Sequence, residues 1–429
     1  MKKILIKNGR LVDPANNLDK IDDVLIEDGK IAKIGSSLSI SDGQIIEASG
    51  KIVMPGLVDM HVHLREPGRE DKETIFSGTR AAIKGGVTSV LAMPNTNPAM
   101  DSVENIKSLK YAIKKDALCN VFMSGAITKG RLGKELTEIA SLKNEGVIAI
   151  SDDGSSVDDG AILLNAFKEA GKNNLLTICH SEDKTLSAKG VVNLGFTSTR
   201  LGFRGISNES EYKRVERDIK LAESADSAIH IAHVSTKESV DLIARAKKKG
   251  VRLTCETAPH YFSLTENDVL GYDTNKKMNP PLRSKNDCEA IKDALLSGVI
   301  DVIASDHAPH TENEKEIEFD RAEFGVIGLE TILSVSITEL LKEGLFDWPQ
   351  LVKKLSLNPA RILGINKGNL AIKSDADLIV VAPLEEWVVE KKNIVSKSKN
   401  CAFLNKKLRG VVEYTILHGQ IVFNRKQKV

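Results

Sequence analysis

Between residues 56 and 304, short apolar runs alternate with stretches of helical periodicity, and this alternation constrains the fold more than any other property of the chain. Eight runs read as strands: 57–63, 87–93, 119–125, 147–151, 175–179, 228–232, 251–255 and 299–304. Segments between them, such as 74–84 and 239–249, repeat apolar residues at helical spacing. Strands separated by helices pair in parallel through crossover connections, and eight such units close a barrel. The predicted fold class is therefore α/β, a (β/α)8 TIM barrel over 56–365. Each run is apolar through its body and turns polar at its C-terminal end, the rim on which barrel enzymes keep their chemistry.

The two chain ends have an all-β texture. Asn8-Gly9 and Asp28-Gly29 each lie between alternating apolar residues and predict hairpins, as does His418-Gly419 near the other end. Residues 377–381 are strand-like. The segments 1–55 and 366–429 are expected to pair into one small β-sandwich domain beside the barrel.

Charge and cysteine usage narrow the function classes. A formal net charge of +1 over 429 residues argues against nucleic acid or a membrane surface held by bulk electrostatics. No run reaches the ~18 apolar residues of a membrane span, and the N-terminal residues lack the apolar core of a signal peptide. The five cysteines are scattered without paired spacing, which fits a reducing cytoplasm better than a disulfide framework. The charged run 312–318 reads as a solvated loop or helix start.

Polar residues recur at the predicted strand ends. In His61-Val62-His63 the two imidazoles share one face of a strand, an arrangement suited to a zinc-type ion. Asp152-Asp153 ends the fourth strand and His180 the fifth. At the end of the sixth, His233 shares parity with Ile229 and Ile231, so it is taken as the inward group and His230 as packing. Asp306 ends the eighth, with His307 turned elsewhere. Singly, each is an ordinary structural residue; together, four histidines and two aspartates on one rim need a shared cation to neutralise charge and orient the rings.

The same residues carry a resemblance. His61, His63, His180, His233 and Asp306 resemble the ligand set of the amidohydrolase superfamily. Several fuller strings resemble the bacterial type I dihydroorotases: His61-Val62-His63-Leu64-Arg65-Glu66-Pro67-Gly68, Ala92-Met93-Pro94-Asn95-Thr96, Ser151-Asp152-Asp153-Gly154, Met278-Asn279-Pro280-Pro281-Leu282-Arg283 and Ser305-Asp306-His307-Ala308-Pro309-His310. The resemblance covers nearly the whole chain. It implies a zinc-dependent cyclic amide hydrolase that interconverts N-carbamoyl-L-aspartate and L-dihydroorotate in pyrimidine synthesis, with one or two Zn2+ per subunit.

By that resemblance His61, His63 and Asp306 hold one zinc, His180 and His233 a second, and Asp153 bridges them, with Asp152 its rival at the frayed strand end. Many relatives bridge with a carboxylated lysine, whereas this chain has aspartates there. Arg65, Asn95 and His310 are implied to grip the substrate carboxylate, and Asn279 with backbone groups of Phe324 and Gly325 to hold the ring. Asp306, at the mouth, is the candidate proton shuttle. A homodimer and a complex with aspartate transcarbamoylase are the partner expectations. A hydantoinase or allantoinase is the rival reading within the class. A catalytically dead scaffold is the rival outside it, and such members typically lack metal ligands that are all present here.

Overall fold

The computed structural model describes residues 3–341 and 344–427. The N-terminal strands are β1 (Lys3–Asp13), β2 (Leu18–Glu27), β3 (Lys30–Gly35), β4 (Gln44–Glu47) and β5 (Ile52–Pro55). Eight barrel strands and a two-stranded excursion follow: β6 (Leu57–Val62), β7 (Val87–Ala92), β8 (Asn120–Gly125), β9 (Val147–Ser151), β10 (Leu176–Cys179), β11 (Val192–Asn193), β12 (Gly205–Ile206), β13 (Ile229–Ile231), β14 (Leu253–Thr257) and β15 (Val302–Ile303). The C-terminal strands are β16 (Leu378–Val388), β17 (Lys407–Leu417) and β18 (Gln420–Asn424).

The barrel runs β15-β14-β13-β10-β9-β8-β7-β6, with every neighbouring pair parallel. A parallel bridge between Val62 and His307, with His63 N–H donating to the His307 carbonyl at 2.9 Å, nearly closes it. The predicted strands and the observed ones agree to within a few residues. Helices form where their ends are chemically defined. Thr74 and Ser77 cap the helix Ile75–Lys84 reciprocally, and Thr236 caps Lys237–Lys248, whose Ser239, Val240, Ile243 and Ala246 face inward at helical spacing. Among the described residues, no helix is long and apolar enough to cross a membrane.

Both chain ends contribute to a separate eight-stranded sheet, ordered β18-β17-β16-β5-β1-β2-β3 with β4 also on β1. Its core includes Ile4, Ile6, Leu11, Val24, Ile26, Val53, Leu378, Val380 and Ile416. Asp28-Gly29 and His418-Gly419 make the tight turns expected, all four residues at positive φ. Asn8-Gly9 does not. There β1 continues unbroken, and the register shift between Ile6 and Gly9 marks a bulge, with Asn8 at φ 59°. A Cβ on Gly9 would stand 2.5 Å from Val53 Cγ2, so the glycine serves the close approach of β5 instead of a turn.

The segment 389–406 leaves the sheet and packs on the barrel, burying Ile394, Cys401, Ala402 and Phe403 in the larger core. Glu73, beside the first barrel helix, accepts from Ser396 Oγ and Lys397 N–H and so ties this segment to the barrel.

Candidate active site

Three residues at the rim hold backbone conformations that non-glycine residues rarely adopt: Arg65 at φ 66°, His233 at 34° and Asp306 at 47°. Such conformations cluster at functional sites, where the chain turns sharply off a strand and aims a side chain into the mouth. His233 illustrates the effect and corrects the parity argument. Ile229 and Ile231 belong to the outer core against the helices, while His230 turns inward, its Nε2 3.3 Å from Glu256 Oε2. His233 reaches the site because it lies two residues beyond β13 and leaves strand geometry.

Asp153 sits between two pairs of imidazoles. Its Oδ2 lies 3.3 Å from His61 Nε2 and 3.5 Å from His63 Nε2. Its Oδ1 lies 3.3 Å from His180 Nδ1 and 3.4 Å from His233 Nε2, and those two nitrogens are 2.8 Å apart. Asp306 Oδ1 completes the first group at 3.4 Å from His63 Nε2 and 3.8 Å from His61 Nε2. Ligand atoms of His61, His63 and Asp306, and likewise of His61, Asp153 and His233, all lie within 4.8 Å of one another. Asp152, by contrast, points away. Its carboxylate accepts from Ile127 N–H at 2.8 Å and from Thr128 N–H at 3.1 Å, and so anchors the loop after β8.

A cation fits this donor set on two structural grounds. His61 Nε2 is buried and forms no hydrogen bond, an expensive condition for a polar atom with no ligand. Each of three imidazoles has its far nitrogen held by an acceptor, leaving the near nitrogen's lone pair to the cluster. His61 Nδ1 donates to Glu256 Oε1 at 2.5 Å, His63 Nδ1 to Asn95 Oδ1 at 2.8 Å, and His180 Nε2 to Glu182 Oε2 at 3.3 Å.

The electrostatics agree. Burial alone would push His61 and His180 down, but Asp153 with Glu256 holds His61 well above the usual range, and Asp153 with Glu182 raises His180 to about 9. Asp153 is itself driven well below the carboxylate range by the surrounding imidazoles, despite its burial. The pocket therefore demands positive charge, which a metal ion can supply in place of protons.

Glu256 is a residue that the strand-end argument missed, because the predicted seventh strand stopped at 255. It extends the predicted strand 251–255 by one position and obeys the same rule as the other rim residues. Glu256→Gln keeps the shape but loses the charged acceptor. The expected result is a loss of metal affinity by about 10- to 100-fold, measured by competition with a chelator.

The cluster opens onto a cavity of about 260 Å³ lined by His63, Arg65, Asn95, Arg131, Asp153, Gly154, His180, His233, Asn279, Asp306, Ala308, His310, Phe324 and Gly325. Thus the expected substrate-binding positions all meet at one mouth. Arg65 donates to the Pro309 carbonyl at 3.1 Å and, among the described residues, pairs with neither Glu66 nor Glu70. Burial lowers its pKa to about 10, still fully cationic at neutral pH. Asn95 gives its carbonyl to His63 Nδ1, and among the described residues its NH2 forms no hydrogen bond.

His310 is neutral, its pKa pushed down to about 2 by burial, Arg65 and Lys72. Its Nδ1 accepts from Lys72 Nζ at 3.0 Å, so Nε2 carries the proton and donates to the Phe324 carbonyl at 2.8 Å. Gly325 is likewise engaged. Its N–H goes to the Lys277 carbonyl at 3.0 Å, and its own carbonyl accepts from Lys315 Nζ at 3.0 Å and Asn400 Nδ2 at 3.1 Å. A Cβ there would meet Ala308 Cβ at 2.8 Å. Asn279 donates to Glu182 Oε2 at 3.1 Å, which links it to His180.

The charged run 312–318 proves to be more than a solvated loop. Lys315 is buried beneath the site, and Glu314 pairs with Lys72 at 2.9 Å beside His310. His307 faces away from the cluster, accepting from Gly328 N–H at 3.2 Å.

Comparison with known proteins places this architecture. A family model described as Dihydro-orotase-like matches residues 50–239. The dihydroorotase of Elusimicrobium minutum is 53% identical over 419 residues, covering 98% of this chain and 97% of that protein. The dihydroorotase of Pelotomaculum thermopropionicum is 49% identical over 420 residues, covering 98% of each. Among solved structures, the L-hydantoinase (dihydropyrimidinase) of Arthrobacter aurescens superposes with a TM-score of 0.91 at 26% identity, covering 100% of this chain and 98% of that one. The barrel is thus shared with hydantoinases, whereas identity near one half over nearly the full length is shared with dihydroorotases. This chain belongs to the dihydroorotase family.

Proposed function

We propose that this protein is a dihydroorotase that interconverts N-carbamoyl-L-aspartate and L-dihydroorotate in pyrimidine synthesis. The observation that supports it most is a bridging carboxylate, Asp153, between two imidazole pairs at the floor of a cavity that also holds Arg65, a guanidinium with no carboxylate partner among the described residues. The first set calls for a metal, and the second for an anionic substrate.

In this reading His61, His63, Asp153 and Asp306 hold one Zn2+, and Asp153, His180 and His233 hold a second where both sites fill. Zinc supplies Lewis acidity, lowering the pKa of water to roughly 7 and polarising an amide carbonyl. The protein's own groups do the rest. Arg65 clamps the carboxylate carried by both substrate and product, with the Asn95 amide beside it. Sharing the His310 Nε2–H between that carboxylate and Phe324 would add a third contact. Asn279 and the backbone around Phe324 position the ring. Asp306, lining the cavity beside both imidazoles of the first pair, takes the proton of the attacking water and delivers it to the leaving ring nitrogen.

The test is turnover by the zinc-loaded protein. Dihydroorotate should be hydrolysed at least ~100-fold more efficiently than hydantoin or dihydrouracil, which lack the ring carboxylate that Arg65 pairs with. Equal or faster turnover of the uncharged rings would replace this reading with a hydantoinase.

A further inference from the structure

At neutral pH the His310 ring can donate to a carboxylate only while its proton sits on Nε2. Either nitrogen of a neutral imidazole can bear the proton, and the choice follows from what each one faces. Nε2 lies 2.8 Å from the Phe324 carbonyl oxygen, which can only accept. Arg65 Nη2 stands 3.4 Å from the same nitrogen, a contact that forms no bond once Nε2 is protonated. On the other edge, Nδ1 faces two groups that pull in opposite directions. Lys72 Nζ at 3.0 Å can only donate, whereas Glu314 Oε2 at 3.4 Å can only accept.

The ammonium decides between them. A proton on Nδ1 would set an N–H against a group with no lone pair, and would leave Nε2 and the Phe324 oxygen facing each other lone pair to lone pair. A doubly protonated ring is no escape. Burial opposes it, as do the cations Arg65, Lys72 and Lys315 around the ring, with Glu314 alone in its favour.

A role in the ion pair alone explains Lys72 poorly. Glu314 is satisfied without it, taking Arg69 Nη2 at 2.7 Å and Thr311 N–H at 3.0 Å. Lys72 is nonetheless only 5% exposed, and a buried ammonium is costly unless its donors are used. Its backbone is fixed on both sides. Lys72 N–H donates to the Arg69 carbonyl at 3.0 Å, and Ser398 Oγ to the Lys72 carbonyl at 2.7 Å. The ammonium therefore reaches Nδ1 from a rigid base, and it spans Nδ1 and Glu314 Oε1, the latter at 2.9 Å.

We infer that Lys72 is a positioning residue, whose ammonium holds the His310 proton on Nε2 and so keeps the ring a donor to the carboxylate common to substrate and product. The carboxylate's identity rests on the dihydroorotase reading above; the position of the proton does not. Long-range 1H–15N spectra of protein labelled on histidine report which nitrogen of each ring is protonated, and the His310 signals are those missing from His310→Gln. In wild type at neutral pH the proton should sit on Nε2. In Lys72→Met, which keeps the length and removes the donor, it should move at least in part to Nδ1, towards Glu314.

The kinetic arm uses zinc-loaded proteins, with zinc content and Tm as controls. For Lys72→Met the KM for dihydroorotate should rise roughly 10- to 100-fold, the range for losing a hydrogen bond to a charged group. Its kcat should stay within about threefold, because the carboxylate is held alike in ground and transition states. Lys72→Arg keeps a donor, so it should keep the proton on Nε2 and recover part of the KM.

A wild-type ring protonated on Nδ1 would overturn the assignment, whether or not the variant folds. So would a Lys72→Met ring that keeps its proton on Nε2 alone, or a moved proton with an unchanged KM. Wild type that turns over neither compound would overturn the dihydroorotase reading instead, and the spectra would still decide which nitrogen Lys72 protects.

Discussion

Asp153→Ala is expected to lower kcat/KM for dihydroorotate by about 10⁴-fold, several kcal/mol of lost Lewis-acid stabilisation at 1.36 kcal/mol per decade. Both imidazole pairs face this one carboxylate, through Oδ2 on one side and Oδ1 on the other. Removing it leaves four buried rings with no shared anion. Zinc retained after dialysis should therefore fall together with activity. The neighbouring Asp152→Asn is the control, because that carboxylate anchors the loop after β8 and faces none of the rings. It should lower stability and keep zinc. If Asp152→Asn lost the metal and Asp153→Ala did not, the bridging assignment would pass to the other residue.

Arg65→Ala is the second large effect. The guanidinium is half-buried, held by the Pro309 carbonyl, and among the described residues has no carboxylate partner. Truncating one member of a buried charge pair costs about 2–5 kcal/mol, so kcat/KM should fall roughly 30- to 5,000-fold. Zinc content should not change, since Arg65 faces none of the ligand nitrogens through a hydrogen bond. Unchanged kinetics with dihydroorotate would remove the carboxylate clamp from the account. Lysine should rescue only partly, because a point charge does not reproduce a bidentate fork.

The architecture was legible because strand–helix alternation is a long-range statistical pattern, and because barrel chemistry collects at strand ends. His61 and His63 could be paired from alternation alone. His180 and Asp306 followed from position. His233 was identified by an argument that the structure reverses. Parity along β13 selects His230 for the interior, and only the positive φ beyond the strand brings His233 back to the site.

Other features carried no local signal. Asn400 lies about 90 residues after His310 in sequence, yet its side chain binds the His310 N–H and the carbonyls of Ala308 and Gly325. Lys315 looks like a surface lysine in a charged run, but its ammonium is buried against the carbonyls of Lys277, Glu323 and Gly325. Arg131 sits in a glycine-flanked turn that any solvent-facing loop could contain. Glu256 obeyed the rule already in use and was lost only to a boundary one residue short. Asn8-Gly9 shows the reverse failure, where a strong turn signal is used for a bulge because β5 packs against the glycine.

The central claim is that six side chains, separated by up to 245 positions, converge to hold metal at the barrel mouth. Anomalous diffraction at the zinc edge from crystals of the purified protein tests it most directly. The account predicts a peak at roughly 2.0–2.2 Å from the near nitrogens of His61 and His63, and, where the second site fills, another at similar distance from His180 and His233 with Asp153 between them. A protein that turns over dihydroorotate but shows no anomalous density among these six residues would contradict it.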